Sequence, residues 1–375
     1  MLDAQPQPTF WTRNNFRETD KEIYIQAVAT AYPGYTVQEF EYQGQCIHTT
    51  AEPWHTDDTT HPLYLDPSSP SPSLIIQIRA PQHALNLSTA RAAKAIYPHL
   101  APGIRVLDLG DLPGGCMVYE MQRLRGVPLS SLLPRGGEVD REMQEKMGHV
   151  VEGLADVVAQ GLGFGRAKTG DGVERRERAD SPMQPPSPSP SSPLLPSQIS
   201  TSIPARLSLL SSYLPTPSLR HHAHLLLQSF TQLTHRHPPY PTVLTHGDLI
   251  PSNILVDPRT WRITGLVDWA EAEELPLGMC AYGLEGVVLP RSKRTNHYHY
   301  HPFAPHLRTL FWTRLLERVR EAQVHVTETE LRVIRDVGVL LWYGIAWDGG
   351  KLDRVVDAVR DPGEVECLRA FLGVV

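Results

Sequence analysis

Residues 240–278 read YPTVLTHGDLIPSNILVDPRTWRITGLVDWAEAEELPLG, and they are the most informative part of the chain about its fold. Its three short apolar runs, TVLT, NILVD and RITGLVDW, favour β-strands. Asp248 and Asn253 lie in a Gly-containing loop after the first run, and Asp268 lies at the end of the third. A hairpin with its turn near residues 257–260 would bring Asn253 and Asp268 to the same end of neighbouring strands. The sequence therefore predicts a loop at which two carboxylates and one amide converge.

These side chains suit one kind of chemistry. Asn253 and Asp268 supply only one or two oxygen ligands, which suits Mg²⁺, an ion that keeps waters and takes further oxygens from nucleotide phosphates. Asp248 is then left to orient an acceptor hydroxyl and to accept its proton, as phosphoryl transfer requires beside the metal. We expect His246 to hold the loop rather than to react.

The motif HGDLIPSN followed by LVDW resembles the aminoglycoside phosphotransferase and choline kinase superfamily, which has a protein-kinase-like fold. The resemblance implies an α+β, two-lobed protein with a small antiparallel N-lobe sheet and a mainly helical C-lobe. It also implies that ATP and Mg²⁺ are the cofactors and that Asp248 is the catalytic base, in a loop that includes His246. Asn253 and Asp268 would bind the metal and, through it, the nucleotide.

The rest of the chain agrees with two lobes. Residues 36–122 contain a hairpin, a strand, a helix and two further strands, which predicts the nucleotide-binding N-lobe after an extension at residues 1–35. Residues 123–375 carry mostly helical periodicity and predict the C-lobe, with residues 327–349 as one helix. Residues 165–203 are rich in Pro, Ser and charge, which predicts a disordered insertion.

The resemblance places the nucleotide site in the N-lobe. Gly44 lies in the expected nucleotide-covering hairpin, and Glu120 and Met121 would offer backbone groups to adenine. Arg79 and Gln77 share one face of the strand LIIQIR, which occupies the place of the family's phosphate-binding strand. The cationic Arg79 is the better candidate for the phosphate-binding residue, although strand position would favour Gln77. The family usually pairs that residue with an acidic side chain in the next helix, yet LNLSTARAAKAIYPHL contains no Asp or Glu.

The composition of the chain restricts the classes of partner and the compartment that we expect. The 375 residues include 35 Lys and Arg against 41 Asp and Glu, a net charge of −6, which disfavours nucleic acid and anionic membranes as partners. The four cysteines are widely spaced and predict no zinc site or disulfide framework. The longest apolar run, VGVLLWYGIAW, is too short to span a bilayer. With no signal-like start, these features favour a cytoplasmic protein.

The expected function is the ATP- and Mg²⁺-dependent transfer of a phosphoryl group to a hydroxyl of a small molecule. The acidic run DWAEAEELPLG after Asp268 would favour a cationic acceptor or would simply be solvated. A catalytically weak or inactive nucleotide-binding pseudokinase is the alternative, suggested by the helix that lacks an acidic residue. A protein kinase is less consistent with the sequence, because no Ala-Pro-Glu landmark follows Asp268.

Overall fold

A computed structural model of the chain describes residues 11, 14, 16–39, 60–67, 74–134, 139–163, 202–288, 300–348 and 351–374. Gly44 and nearly all of the predicted insertion at residues 165–203 lie outside these residues, and the last residue of that range, Ile203, already begins a helix. Within the described residues, no helix is both long and apolar enough to cross a membrane.

A five-stranded antiparallel sheet forms the first half of the molecule, in the order β1-β2-β3-β5-β4. Its strands are β1 (Tyr35–Glu39), β2 (Thr60–Pro67), β3 (Leu74–Arg79), β4 (Ile104–Leu107) and β5 (Met117–Gln122). Two helices accompany them, α1 (Glu18–Ala31) and α2 (Leu87–Ile96). The strands from β3 onward and α2 confirm the predicted order of elements.

The core beside this sheet also uses residues that precede the predicted lobe. Trp11 and two side chains of α1, Tyr24 and Val28, are buried against Ile76 of β3 and Val118 of β5. Burial of large apolar side chains is the main stabilising contribution to such a core. Helix α1 is therefore part of the first lobe, although it lies within the range predicted as an extension.

Helices dominate the second half. They are α3 (Arg141–Gln160), α4 (Ile203–Tyr213), α5 (Pro217–Thr234), α6 (Gly283–Val288), α7 (Ala304–Glu321), α8 (Glu328–Tyr343) and α9 (Pro362–Leu372). The side chain of Asp140 caps α3 by accepting a 2.8 Å hydrogen bond from the Met143 amide. The apolar face of α3 then packs into the large core of this half.

The prediction of a single helix over residues 327–349 is wrong at its end. Helix α8 stops at Tyr343, and the chain continues as β11 (Ile345–Asp348), which pairs antiparallel with β12 (Lys351–Val355). Gly344 is the C-cap, and its amide donates to the Leu340 carbonyl at 2.8 Å. Apolar residues run through both elements, so helical periodicity alone does not reveal the boundary.

Short strands carry the polar motif. They are β6 (Val127–Pro128), β7 (Thr242–Thr245), β8 (Ile254–Val256), β9 (Ile263–Leu266) and β10 (Glu273–Pro276). Strand β7 pairs with β10, and β8 pairs with both β6 and β9. The Asp257 side chain stabilises the β8–β9 turn by accepting from the Arg259 and Thr260 amides at 3.0 and 2.9 Å. The predicted hairpin is thus confirmed.

Candidate active site

The loop after β7 makes a sharp turn at Gly247. This glycine has φ +79°, and a Cβ atom there would lie 1.9 Å from the Glu271 carbonyl oxygen. Only glycine combines that conformation with so close an approach of two backbone segments. The turn therefore brings Asp248 next to the chain that follows Asp268.

Asp248 is buried, with 7% of its surface exposed. Its Oδ2 accepts a 2.7 Å hydrogen bond from Asn253 Nδ2, and its Oδ1 has no hydrogen-bond partner within the described part of the chain. Burial and the nearby charge of Asp268 raise the pKa of Asp248 well above its usual range. One carboxylate oxygen is thus held in place, while the other is buried with its capacity to accept a hydrogen bond unused by the described residues.

Asn253 and Asp268 meet as predicted. Ile254, next to Asn253, pairs with Leu266 in the β8–β9 ladder, and the Val267 amide donates to the Asn253 carbonyl at 3.0 Å. The Asn253 Nδ2 is engaged by Asp248, so Oδ1 is the amide atom with metal-ligand chemistry. One amide oxygen and one carboxylate suit a hard cation that keeps other oxygen ligands. Among the described residues, no group of three or more His, Cys, Asp or Glu could hold a metal.

His246 is fully engaged by its surroundings. Its Nε2 donates to the Val267 carbonyl at 2.8 Å, its Nδ1 accepts from the Asp248 amide at 3.3 Å, and its ring lies 4.6 Å from that of Trp269. Burial lowers the pKa of His246 to about 4, so the imidazole is neutral near pH 7. These contacts are those expected of a residue that holds the loop, and the contribution of His246 to catalysis stays a prediction.

A cleft lies between the sheet and the helical half of the molecule, beside Asp268. Gln77, Arg79 and Met121 line it from the sheet, and Asp268 and Trp269 line it from the helical half. The other lining residues are Leu85, Asn86, Ala90, Pro102, Ile104 and Ala270. The fold therefore brings both candidates for the phosphate-binding residue beside Asp268, although they are far from it in the chain, whereas Asn253 and Asp248 do not line this cleft.

Both candidates for the phosphate-binding residue face this cleft. Arg79 is buried, its Nε donates to Gln77 Oε1 at 3.3 Å, and its Nη1 donates to the His83 carbonyl at 3.4 Å. Gln77 thus orients the guanidinium group. The geometry leaves both residues as candidates, and Arg79 alone carries the positive charge that phosphate favours.

The predicted adenine-binding residues have different surroundings. Met121 lines the cleft, whereas the Glu120 carboxylate accepts from Arg105 Nε and Nη2 at 2.7 and 2.6 Å and from the Tyr32 hydroxyl. Both residues lie within β5, paired with β3 on one side and β4 on the other. Their role toward adenine stays a prediction, and so does that of Gly44, which lies outside the described residues.

Sequence reasoning missed Tyr282. Its hydroxyl donates to the Gly247 carbonyl at 2.7 Å and accepts from the Leu249 amide at 3.3 Å, so it contacts the residues on both sides of Asp248. Tyr282 lies in the turn Met279–Tyr282, where the sequence MCAYGLE shows no polar motif. Its distance from Asp248 in the chain left no local signal.

Comparison with known proteins identifies the family of the chain. Residues 68–275 match the sequence model of the phosphotransferase enzyme family. No curated protein matches the chain.

Solved structures share the architecture at low sequence identity. A candidate aminoglycoside phosphotransferase from Ralstonia eutropha is 13% identical, with 96% of this chain and 99% of that chain covered and a TM-score of 0.50. An ethanolamine kinase from Plasmodium vivax is 13% identical, with 100% and 98% covered and a TM-score of 0.48. A choline kinase from Streptococcus pneumoniae is 10% identical, with 87% and 89% covered and a TM-score of 0.44.

The α+β architecture and the comparisons confirm the predicted two-lobed, protein-kinase-like fold. The family match covers more than half of the chain and includes the whole loop from His246 to Asp268. The protein therefore belongs to the phosphotransferase enzyme family.

Proposed function

We propose that the protein transfers the γ-phosphoryl group of ATP, with Mg²⁺, to a hydroxyl group of a small molecule. One observation carries this proposal. In a chain of the phosphotransferase family, the buried carboxylate of Asp248 has one oxygen held by Asn253 and the other without a hydrogen-bond partner in the described residues. Such an oxygen suits the hydroxyl of an acceptor.

The cleft supports ATP as the donor. Arg79, oriented by Gln77, would neutralise phosphate charge from the sheet side, and Met121 and Glu120 would offer backbone groups to adenine. Gly44 would approach the phosphates from the covering hairpin. Asn253 Oδ1 and the Asp268 carboxylate would hold Mg²⁺, which offsets the charge of the phosphate oxygens when bound.

Asp248 would act on the acceptor. It orients the hydroxyl toward the γ-phosphorus atom and accepts its proton as the new oxygen–phosphorus bond forms and the bond from that phosphorus to the β,γ-bridging oxygen breaks, which releases ADP. Its pKa is raised by burial and by Asp268, and a cation bound at Asp268 would offset the second of these causes. His246 and Asn253 would keep the carboxylate in place, through the Asp248 amide and through Oδ2 respectively.

The decisive experiment is an ATP-consumption screen over amino alcohols, aminoglycosides, sugars and hydroxy-amino acids. We expect turnover with at least one class, and we expect Asp248→Asn to lower kcat by at least about 100-fold, because a positioned base contributes on that order. Thermal stabilisation by MgATP should persist in the variant. Asp257→Asn, at the exposed far end of the β8–β9 hairpin, is the matched control and should keep its turnover.

A second function is favoured by one observation. Helix α2, LSTARAAKAI, contains no Asp or Glu that could pair with Arg79. A protein that binds nucleotide without transferring phosphate would accordingly show stabilisation by MgATP and no turnover on any acceptor. Undiminished turnover in Asp248→Asn would instead contradict the role of Asp248. The protein would then still be a kinase, with another residue as the base.

A further inference from the structure

Tyr282 forms hydrogen bonds with the residues on both sides of Asp248. The Gly247 carbonyl accepts from its hydroxyl at 2.7 Å, and the Leu249 amide donates to the same hydroxyl at 3.3 Å. A phenolic hydroxyl can donate and accept at once, which neither phenylalanine nor a carboxylate can do. Tyr282 is buried, so water competes little for these two hydrogen bonds.

Helix α8 fixes the ring of Tyr282. The ring stacks on Trp342, with centroids 5.1 Å apart and planes 14° from parallel. A Cβ atom on Gly338 would lie 2.1 Å from the Met279 carbonyl oxygen and 3.3 Å from Tyr282 Cδ1, so this glycine lets α8 pack against the turn. The hydroxyl of Tyr282 is thereby held by the body of the helical half.

The contacts of Tyr282 complement those made within the loop. His246 accepts from the Asp248 amide, and the Asp248 carbonyl accepts from Asn253 Nδ2 and the Ile250 amide. Those partners belong to the loop and would move with it. Tyr282 belongs to a different segment, so it links the position of the loop to α8.

We infer that Tyr282 is a positioning residue that holds the carboxylate of Asp248 at its working distance by bridging the Gly247 carbonyl and the Leu249 amide. This inference rests on the proposed function. Tyr282 touches no reacting atom in this scheme and acts through the backbone of Asp248. Because a small misplacement of a catalytic group lowers the rate steeply, the hydroxyl should affect kcat rather than substrate binding.

The test is Tyr282→Phe, which keeps the ring and its stacking on Trp342 and removes one oxygen. We expect kcat to fall by about 10- to 100-fold, with the KM for MgATP changed by less than about twofold. ATP hydrolysis without an acceptor, where water replaces the hydroxyl, should fall in parallel. In hydrogen exchange, the Leu249 amide should exchange at least about tenfold faster in the variant.

Tyr240→Phe is the matched control. Tyr240 is also buried in the helical half, and its hydroxyl donates to the Leu277 carbonyl at 3.0 Å, away from Asp248. We expect kcat of this variant to stay within about twofold of wild type. If Tyr282→Phe behaves like Tyr240→Phe in kcat, or if exchange of the Leu249 amide is unchanged, the positioning role is overturned.

The result separates this inference from the proposed function. A wild-type protein that consumes no ATP with any acceptor or with water overturns the function, and the positioning role falls with it. An active wild type, an inactive Asp248→Asn and a fully active Tyr282→Phe retain the function and overturn only the role of Tyr282. A drop in kcat together with an equal rise in KM would also contradict positioning.

Discussion

Asp248 is held in position by hydrogen bonds to its backbone as well as to its side chain. The amide is bonded to His246, the carbonyl to Asn253, and one carboxylate oxygen to the same asparagine. Gly247 makes this arrangement possible, because its positive φ lets the chain turn against Glu271. The absence of a Cβ atom at Gly247 is therefore required for the position of Asp248.

Gly247→Ala tests that conclusion. The added Cβ would lie 1.9 Å from the Glu271 carbonyl oxygen and would sit on a backbone with φ +79°, so the loop must move. We expect the midpoint temperature of unfolding to fall by several degrees and turnover to be lost, measured by thermal denaturation and by ATP consumption. Gly163→Ala is the control, since a Cβ there meets nothing within 4 Å. Full activity in Gly247→Ala would contradict the prediction.

At the scale of elements, the end of α2 is attached to the helical half. The Tyr97 hydroxyl donates to the Leu244 carbonyl at 3.0 Å, and its ring lies 4.9 Å from Trp269, which in turn contacts His246. Gln160 of α3 donates to the Ile96 carbonyl at 2.8 Å. An aromatic chain thus connects the first lobe to the loop that carries Asp248.

Substitutions of Tyr97 separate the hydrogen bond from the ring. Tyr97→Phe should lower the free energy of unfolding by about 1 kcal/mol, the typical contribution of one hydrogen bond. Tyr97→Ala should lower it by about 3 to 5 kcal/mol, because it also leaves a cavity beside Trp269. Urea denaturation of both variants measures the difference. Equal losses in the two variants would contradict packing as the larger contribution.

At the scale of the whole molecule, Glu285 of α6 joins several helices through a buried ionic network. Only 1% of Glu285 is exposed. Its carboxylate pairs with Arg335 of α8 and with Arg308 of α7 at 2.6 Å, and Arg335 also donates to the Phe371 carbonyl of α9 at 2.8 Å. Tyr300 donates to the same carboxylate at 2.9 Å.

Glu285→Ala should be strongly destabilising. The substitution removes the carboxylate that Arg335 and Arg308 share and leaves Asp336 as the remaining carboxylate partner of the buried Arg335. Breaking a buried ion pair by removing one partner costs about 3 to 5 kcal/mol, and we expect the free energy of unfolding to fall by about that amount. Glu145→Ala breaks the exposed pair with Arg141 and should cost about 0.5 kcal/mol or less. Chemical denaturation of both variants gives the comparison, and similar losses would refute the claim that the buried network joins the helices.

Glu364 makes stability depend on pH. It is 7% exposed, its Oε1 has no hydrogen-bond partner in the described residues, and burial raises its pKa from 4.5 to about 7. The folded state therefore binds this proton more tightly than the unfolded state, so stability falls as pH rises from about 4.5 to about 7 and then levels off.

Glu364→Gln removes that titration. We expect the variant to gain stability over wild type as pH rises from 5 to 8, measured as the difference in melting temperature at each pH. A pH-independent difference for Glu364→Gln would contradict the buried, protonated state.

The class of fold and the hairpin between Asn253 and Asp268 could be predicted from the sequence alone. His246, Asp248, Asn253 and Asp268 lie within a short stretch, and the β8–β9 hairpin that joins the last two is a local structure. The apolar runs of its strands, the residues of its turn and the glycine of the preceding loop, Gly247, can all be recognised from nearby residues in the chain. The boundary of α8 was not readable, because apolar residues continue past Gly344 into β11.

The distant residues that support the loop could be identified only from the packing of the folded chain. Tyr282, Tyr97 and the cleft that joins Arg79 to Asp268 depend on contacts between segments far apart in the chain. Hydrophobic periodicity reports that a residue is buried, not which partner its hydroxyl will find. That choice follows from how helices and strands pack, since a hydrogen bond forms only where packing brings donor and acceptor within about 3 Å.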